Sequence, residues 1–281
     1  MIDLAPNHKL GLSVVNPILL AGGSIGYGEA VHKGLDLAQM GALVVGPILL
    51  NSRMGATAPR LATTNGGFVL ETGLQNRGIT TVLKHFTKLW PRLGAPVIAQ
   101  VADSQPSALA KVAAQLTSDQ QLGGLELLLP RNATPELTST LLRVVIQSSD
   151  LPVWVKLPLG RAVALAPYAV EAGAVGLVIG QPLLGSALYD IPAQHAVRES
   201  SAPTMVTGAL FGPLTFAPML TTLIAVAKLA LPCALIACGG IHTWAQAQQA
   251  LHAGAHALQL DSAIWVEPGL PGRLVEQWGN G

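Results

Sequence analysis

Short, continuously apolar runs recur along the whole chain, and most of them follow a helical stretch that ends in glycine and alanine. The repeated unit is seen in DLAQMGALVVG, EAGAVGLVIG and LHAGAHALQL, with a looser copy in SDQQLGGLELLLP. A helix that leads into a buried strand through a tight glycine turn is the second half of a parallel βαβ unit. Strands of a parallel sheet are buried on both faces, so they lack polar alternation. The pattern therefore predicts an α/β fold with a parallel sheet.

The apolar runs predict eight strands, at residues 17–21, 42–46, 97–101, 125–129, 153–157, 175–179, 234–238 and 257–261. A closed (β/α)8 barrel, the TIM barrel, needs about 250 residues, and the chain has 281. No linker or low-complexity segment divides it, so we expect one barrel domain over residues 1–281. An open doubly wound sheet is the alternative, which the lack of a GxGxxG turn after the first strand disfavours.

Three segments fall outside the repeated unit. Residues Lys9 to Val15, with a turn at Gly11, predict a short amino-terminal hairpin that closes one end of the fold. Two long insertions follow predicted strands, at Leu49 to Gly78 and from Gly180 to Cys233, and the second includes a predicted helix around Phe216 to Leu229. Long βα loops of a barrel lie at its active-site face.

Small and polar residues follow the last two predicted strands. Gly239 and Gly240 come after the first of them, and Asp261 and Ser262 come after the second. In (β/α)8 barrels these two turns are the usual phosphate site, and glycines let backbone N–H groups approach an anion. We therefore expect a phosphate-bearing cofactor here.

Composition narrows the classes of partner. Charged residues make up only 11% of the chain and the net charge is +1, without a basic run, so we expect no nucleic-acid partner. The low surface charge favours self-association. The longest apolar windows are interrupted by charged residues and prolines, so we predict no membrane span.

The cysteines and histidines predict no disulfide framework and no metal site. Cys233 and Cys238 lack companions at metal-ligand spacing, and Cys238 reads as a small buried residue. His252 and His256 share a helical face without a further acid at ligand spacing. A reduced, cytoplasmic location is expected, and the first residues do not form a secretory signal.

Eight motifs then occur in the order and spacing of a known enzyme family. They are NPILLAGGSIGYGE (16–29), LNSRMGATAPR (50–60), GLQNRG (73–78), LPVWVKLP (151–158), LLGSALYD (183–190), VTGALFGP (206–213), CGGIHTWAQA (238–247) and LDSAIWVEPGLP (260–271). Together they resemble the dihydroorotate dehydrogenase family, especially its soluble class, from about Leu12 to Trp278. The resemblance implies a barrel that binds FMN and oxidises or reduces a CH–CH bond of a small-molecule substrate. It also implies a homodimer, and in some members a separate electron-transfer subunit with FAD and an iron–sulfur centre.

The resemblance also implies a role for individual residues. Lys156 would lie near the N1/O2 edge of the flavin, where a cation stabilises negative charge on the reduced ring. Backbone turns would hold the rest of the cofactor. Those beside the flavin are Ala21, Gly22 and Gly23, and those at the ribityl phosphate are Gly208, Gly239, Gly240, Asp261 and Ser262.

Several positions depart from the family's pattern. The family's lysine on the second strand corresponds to Gly46. Its pyrimidine-clamping asparagines correspond to Leu70, Leu128 and Gln181, and each lost hydrogen bond costs about 1–3 kcal/mol. Arg131 occupies the position of the general base, and arginine stays protonated. We therefore expect a substrate other than dihydroorotate, with Glu71 as a candidate replacement acid or base.

Asp261 stands where the family usually has glycine beside the phosphate. A carboxylate there repels a phosphate dianion unless it points away or pairs with a cation. Two functions stay open: an FMN-dependent oxidoreductase, or a non-catalytic binding or assembly subunit with weak or no FMN binding. In the first insertion, Arg53, Arg60 and Arg77 either close over a carboxylate or hold the loop.

Overall fold

Eight parallel strands close into a barrel in the computed structural model of the chain, which describes residues 1–30, 32–118, 121–189 and 204–280. The strands are β1 (Ile2–Asp3), β2 (Ser13–Val14), β3 (Ile18–Leu20), β4 (Ala42–Ile48), β5 (Leu61–Thr64), β6 (Gly67–Leu70), β7 (Val97–Val101), β8 (Leu122–Leu128), β9 (Val153–Pro158), β10 (Gly176–Gln181), β11 (Leu184–Leu188), β12 (Met205–Phe211), β13 (Ala234–Cys238) and β14 (Ala257–Leu260). The helices are α1 (Ile79–His85), α2 (Pro106–Thr117), α3 (Pro135–Gln147), α4 (Ala162–Glu171), α5 (Phe216–Ala227), α6 (Trp244–His252), α7 (Ala263–Val266) and α8 (Leu270–Gly279).

The barrel contains β3, β4, β7, β8, β9, β10, β13 and β14 in chain order, and β9 pairs with β10. All eight strands predicted from the apolar runs are present, and those at 97–101 and 234–238 have the predicted bounds. The prediction of a (β/α)8 barrel is confirmed. It succeeded because every barrel strand is buried on both faces, which makes each one a continuous apolar run.

The lower part of the barrel interior is apolar and is closed by the amino-terminal segment. Trp154 of β9 is the largest side chain there and is 1% exposed. Gly124 and Gly176 make room for it, since a Cβ at these positions would lie 2.2 and 2.4 Å from the indole. The Trp154 Nε1 donates to the Leu4 carbonyl at 2.9 Å. β1 and β2 pair as an antiparallel hairpin, which starts earlier than the predicted segment but closes one end as predicted.

The two long insertions together form a second sheet at the carboxyl ends of the barrel strands. β5 and β6 come from the first insertion, and β11 and β12 come from the second. Their order is β11-β12-β6-β5, and all pairings are antiparallel. The Phe211 of β12 is paired with Phe68 of β6, so the sheet joins segments that are far apart in sequence.

Local sequence signals mark where two of the outer helices begin. α6 starts at a capping box in which Thr243 and Gln246 satisfy each other's backbone N–H groups. α3 starts at Thr134, whose hydroxyl accepts from the Leu137 N–H, with proline in the first turn. α5 agrees with the helix predicted around Phe216 to Leu229. Across the described ranges, no helix combines the length and apolarity that a membrane crossing requires.

Candidate active site

A layer of four polar side chains crosses the barrel interior above Trp154. Gln100 and Gln259 donate to the two oxygens of Glu126, at 2.7 and 2.5 Å. The Lys156 ammonium donates to Gln259 Oε1 at 3.0 Å and lies 3.9 Å from Glu126 Oε1. None of the four is more than 3% exposed. We refer to Gln100, Glu126, Lys156 and Gln259 as the polar layer.

The polar layer keeps Lys156 charged. Burial alone would lower the pKa of Lys156, but nearby acidic groups, at Cys238, Glu126 and Asp261, raise it above its usual 10.5. Burial also raises the pKa of the Cys238 thiol to about 11, so this thiol is neutral near pH 7. The partners that matter at neutral pH are therefore Glu126 and Asp261, and Lys156 remains a buried cation.

Above the polar layer lies a cavity of about 740 Å³, the main cavity, at the carboxyl ends of the strands. Its floor includes Gly22, Gly23, Gln100 and Lys156. Known ligand pockets have volumes of roughly 300–1,000 Å³. The main cavity is therefore large enough for a cofactor or a sizeable substrate.

One wall of the main cavity, the substrate wall, consists of Leu70, Leu128, Arg131 and Gln181. Gln181 is 7% exposed and its Nε2 donates to the Leu129 carbonyl at 3.1 Å, whereas its Oε1 finds no hydrogen-bond partner among the residues that the structure describes. The Arg131 guanidinium donates to the Pro182 carbonyl. Burial lowers the pKa of Arg131, and the charge of nearby Glu71 opposes that shift. The wall thus offers an apolar surface, one unpaired acceptor and one cation.

The rim of the main cavity carries two of the three arginines from the first insertion. Arg53 and Arg60 line the cavity, and Arg60 donates to Gln75 Oε1 at 2.8 Å. Arg77 instead holds the loop, because its guanidinium lies over the Phe86 ring at 5.5 Å. Glu71 also lines the cavity and accepts from the Gly73 N–H at 2.6 Å.

A second cavity of about 20 Å³, the small cavity, lies between the turns after β13 and β14. Gly239, Gly240, Asp261 and Ser262 all line it. Gly239 and Gly240 have φ values of 121° and 70°, which favour glycine, and a Cβ on Gly240 would lie 2.2 Å from the Phe216 nitrogen. About 20 Å³ holds roughly one water molecule.

An aromatic cluster reaches the border of the two cavities through Phe211. Phe68 and Phe211 stack at 5.3 Å, and Trp265 stacks on Phe68 at 6.0 Å. The Trp265 Nε1 donates to the Ser24 carbonyl at 3.1 Å, which links α7 to the turn after β3. Among the described residues, Pro182, Phe211 and Asp261 line both cavities and form the border between them.

Sequence comparison relates this chain to known proteins. The profile of the family described as dihydroorotate dehydrogenase matches residues 6–277. The chain belongs to the dihydroorotate dehydrogenase family. It is 31% identical over 270 residues to the protein named dihydroorotate dehydrogenase B (NAD(+)), catalytic subunit, of Anoxybacillus flavithermus, covering 92% of this chain and 84% of that one. It is 29% identical over 282 residues to the protein of the same name from Bacillus pumilus, covering 96% and 89%.

A solved structure of the same family has the same fold. It is the crystal structure of the Eimeria tenella dihydroorotate dehydrogenase in complex with ferulenol, and its TM-score is 0.73. The alignment covers 100% of this chain and 86% of that one at 16% sequence identity. At this low sequence identity, the comparison shows that the two proteins share a fold and nothing more.

The structure brings most of the predicted site residues together. Lys156, Gly22, Gly23, Glu71 and the whole substrate wall line the main cavity. Ala21 lies directly beneath and is fully buried. Gly208 is elsewhere: it pairs with Gly185 in the second sheet, and a Cβ there would meet the Leu70 carbonyl at 2.5 Å. The structure therefore does not bring Gly208 next to Gly239 and Gly240.

Three members of the polar layer and one aromatic residue were missed by the sequence analysis. Gln100, Glu126 and Gln259 each stand alone inside a predicted apolar strand, as in Leu125-Glu126-Leu127. A lone polar residue in such a run is a usable signal, because it is buried on whichever face it points to. Trp265 carried no comparable signal, since only the fold brings it to Ser24 and Phe68.

His256 has a structural role. The His256 Nδ1 accepts from the Leu235 N–H at 3.0 Å, which ties the residue directly before β14 to β13. In the part of the chain that the structure describes, no group of three or more potential metal ligands comes together.

Proposed function

We propose that the protein is an FMN-dependent oxidoreductase whose substrate differs from dihydroorotate. The observation that carries this proposal is the main cavity, where the buried cation Lys156 faces a wall with leucines at Leu70 and Leu128. Family membership and the named relatives support redox chemistry at this site. The substrate wall supports a different specificity.

The residues present fit FMN at its ring end. Gly23 leaves free space at the turn after β3, because a Cβ there would meet nothing within 4 Å, whereas a Cβ on Gly22 would lie 2.5 Å from the Gln100 side chain. Lys156 supplies a positive charge at the cavity floor that the polar layer holds in place. FMN, when bound, supplies a two-electron acceptor that neither the side chains nor the backbone of this chain provides.

At the phosphate end of FMN, the turns after β13 and β14 offer suitable hydrogen-bond donors but too little space. In the described residues, the N–H groups of Gly239, Gly240 and Ser262 donate no hydrogen bond, so they are free to hold an anion. The small cavity has space for about one water molecule, and Asp261 adds a carboxyl group. A phosphate therefore requires Phe211, which borders both cavities, to give way, and it comes to lie beside the Asp261 carboxyl.

The protein's own groups have distinct tasks in this proposal. Lys156 stabilises negative charge near the cavity floor, because a fixed buried cation needs little reorganisation when charge develops. Arg53, Arg60 and Arg131 attract an anionic group of the substrate to the mouth of the cavity. Glu71 is the carboxyl available for proton transfer on the substrate side. Gln181 Oε1 accepts a hydrogen bond from an N–H or O–H of the substrate.

The substrate wall argues against dihydroorotate. Leu70 and Leu128 cannot pair with the polar edge of a pyrimidine, so each such contact would leave a buried polar group unpaired at about 1–3 kcal/mol. Arg131 stays protonated and cannot remove a proton from carbon. A more apolar molecule with one anionic group and one hydrogen-bond donor suits the wall better.

Visible absorption tests the flavin part. The purified protein is titrated with FMN, the unbound fraction is removed, and the bound flavin is quantified and then reduced chemically. We expect about one FMN per chain, with weaker binding or reduction in Lys156→Ala and no change in Lys111→Ala, a lysine exposed on α2. Thermal unfolding of both variants checks that they are folded. A wild-type protein that refuses FMN would contradict the proposal.

Anaerobic mixing with dihydroorotate tests the substrate part. We expect the bound flavin to stay oxidised in the presence of dihydroorotate. Over the same reaction time, an apolar substrate with an oxidisable CH–CH bond should reduce the flavin and bleach its absorption. Rapid bleaching by dihydroorotate would show that the leucine-lined wall still accepts a pyrimidine, and the proposed change of substrate would be wrong.

A second candidate function is a non-catalytic binding or assembly subunit. The observation that favours it is the small cavity, where the carboxyl of Asp261 and the tight fit oppose a phosphate. It predicts a stable complex with a native partner, larger than a homodimer, in size-exclusion chromatography. A chain that binds reducible flavin without any partner would exclude it.

The assembly of the oxidoreductase is part of the same proposal. The named relatives are catalytic subunits, and we propose that this chain likewise forms a homodimer and receives or passes electrons through a separate subunit. Native mass measurement with and without a candidate electron-transfer subunit distinguishes these states.

A further inference from the structure

Among the described residues, Asp261 is the one carboxyl group that lines both the main cavity and the small cavity. It follows β14 directly, and its backbone carbonyl accepts from the Ile264 N–H in the turn that leads into α7. Ser262, the next residue, is 6% exposed. Asp261 therefore stands where the two cavities meet, in the turn that binds phosphate in many barrels.

The other groups around the small cavity favour an anion. The free N–H groups of Gly239, Gly240 and Ser262 belong to the turns on either side of it. His242, which also lines it, adds a possible donor: burial lowers its pKa, and Glu267 only partly opposes this, so His242 is neutral at neutral pH. Among the small cavity's described lining residues, Asp261 is thus the only group that opposes a phosphate by its charge.

Charged and titratable groups face Asp261 from three strands of the barrel. Burial raises the pKa of Asp261 to about 6, Lys156 of β9 opposes that shift, and Glu126 of β8 adds to it. Cys238 of β13 carries a thiol that is neutral at these pH values, since its own pKa is about 11. Asp261 therefore exchanges its proton close to neutral pH.

We propose that Asp261 is a specificity-determining residue of the phosphate subsite, which makes binding of a phosphate-bearing flavin depend on the uptake of one proton. This inference rests on the proposed function, because it assumes that a flavin binds in the main cavity. A flavin without a phosphate places nothing beside Asp261, so its binding takes up no proton.

The proton balance is simple. Ionised Asp261 and a phosphate dianion repel each other across a space of water size, whereas a shared proton turns the repulsion into an O–H···O hydrogen bond. The second pKa of a phosphate monoester is about 6. Above about pH 7, both groups are ionised when apart, and forming the complex takes one proton from solution. The affinity then falls about tenfold for each pH unit.

The experiment measures the dissociation constants of FMN and of riboflavin between about pH 7 and about pH 8.5, where the phosphate itself no longer titrates. Equilibrium dialysis in phosphate-free buffer at constant ionic strength gives both constants. The first variant is Asp261→Asn, which keeps the size of the side chain and removes its charge. The second is Asp261→Ala, which removes the charge by removing the whole carboxyl group. Asp103→Asn is the matched control, since Asp103 lines only the main cavity.

We expect the FMN dissociation constant of the wild type to rise about tenfold per pH unit and that of riboflavin to stay constant. Asp261→Asn and Asp261→Ala should bind FMN equally well across this range, and more tightly than the wild type by up to about 100-fold at the upper end. Asp103→Asn should keep the wild-type slope.

Three outcomes overturn the inference. If the FMN affinity of the wild type does not change with pH, binding takes up no proton. If riboflavin shows the same pH dependence as FMN, the phosphate is not its cause. A slope that persists in Asp261→Asn assigns the proton to another group. In all three cases flavin binds and the proposed oxidoreductase stands. If no variant binds either flavin at any pH, both the inference and the proposed cofactor are wrong.

Discussion

The polar layer and the substrate wall both adjoin the main cavity, but their hydrogen bonding differs. In the polar layer, Glu126, Gln259 and Lys156 satisfy one another inside the barrel. In the substrate wall, Gln181 Oε1 has no partner within the described ranges, and the leucines present apolar surface. The layer therefore contributes to the stability of the barrel, whereas the wall is complete only with a ligand. Substitutions in the two regions should separate stability from binding.

The largest effect is expected from breaking the polar layer. Glu126→Ala leaves Lys156 buried without its ion pair and Gln100 and Gln259 without their acceptor, which should lower the free energy of unfolding by about 3–5 kcal/mol. Urea denaturation measures this. The control is Glu71→Ala on the substrate side, where one partly buried contact is lost and we expect less than about 1 kcal/mol. Equal losses in the two variants would contradict the contrast between the regions.

The next effect concerns Asp261, which borders the two cavities and lies close to Lys156 of the polar layer. Its pKa of about 6 in the folded protein lies above the usual 3.8, so the folded state holds a proton that the unfolded state loses between about pH 4 and pH 6. Its contribution to stability is therefore full below about pH 4 and falls as the pH rises to about 6, by roughly 1–3 kcal/mol. The difference in unfolding free energy between the wild type and Asp261→Asn should change over this interval and stay constant above it.

A smaller effect, and one on activity alone, is expected from rebuilding the substrate wall. The double variant Leu128→Asn, Arg131→Cys restores an amide and a thiol at positions that face the main cavity. We expect the rate at which dihydroorotate reduces the bound flavin to rise about 10- to 100-fold, with a change in stability below about 1 kcal/mol. Stopped-flow absorbance measures the rate. An unchanged rate would mean that Leu70 or Gly46 also limits the reaction.

The smallest effect is expected at Gln181. Gln181→Leu removes the bond to the Leu129 carbonyl and should cost about 1 kcal/mol of stability. If the unpaired Oε1 receives a donor from the substrate, the same change should raise KM by about tenfold while kcat changes little. Gln75→Leu is the control, because Gln75 lines the cavity rim and its Oε1 already accepts from Arg60. A KM unaffected by Gln181→Leu would leave the acceptor without a role in binding.

The barrel was predictable because burial on both strand faces produces a signal that each strand carries alone. The second sheet was not predicted. β5 and β6 are short, and β12 pairs with β6 across more than a hundred residues of sequence, so no local pattern marks the partner. Gly208 was assigned to the phosphate site by its motif, but its side of β12 packs against Leu70.

Within the site, a residue's place was easiest to predict where it depends on a single strand. Lys156 follows the apolar run Val153-Trp154-Val155, and as the fourth residue of β9 it lines the floor of the main cavity. Its role beside a flavin stays a prediction. The predictions missed Gln100, Glu126 and Gln259, because a single polar residue does not reveal which other strands satisfy it. The roles of Arg53 and Arg77 were left open for a similar reason. Only the conformation of the loop shows that Arg53 lines the cavity rim and that Arg77 lies over the Phe86 ring.

The sequence alone determined that this chain forms a (β/α)8 barrel, that its turns after β13 and β14 contain glycines and a carboxyl group, and that Lys156 belongs to a barrel strand. Each of these depends on neighbours along the chain. Only the tertiary structure decided that Lys156 is ion-paired inside the barrel, that Gln181 keeps an oxygen unpaired among the described residues, and that Asp261 borders two cavities. These features depend on distances between different strands, and local patterns of hydrophobicity hold no information about them.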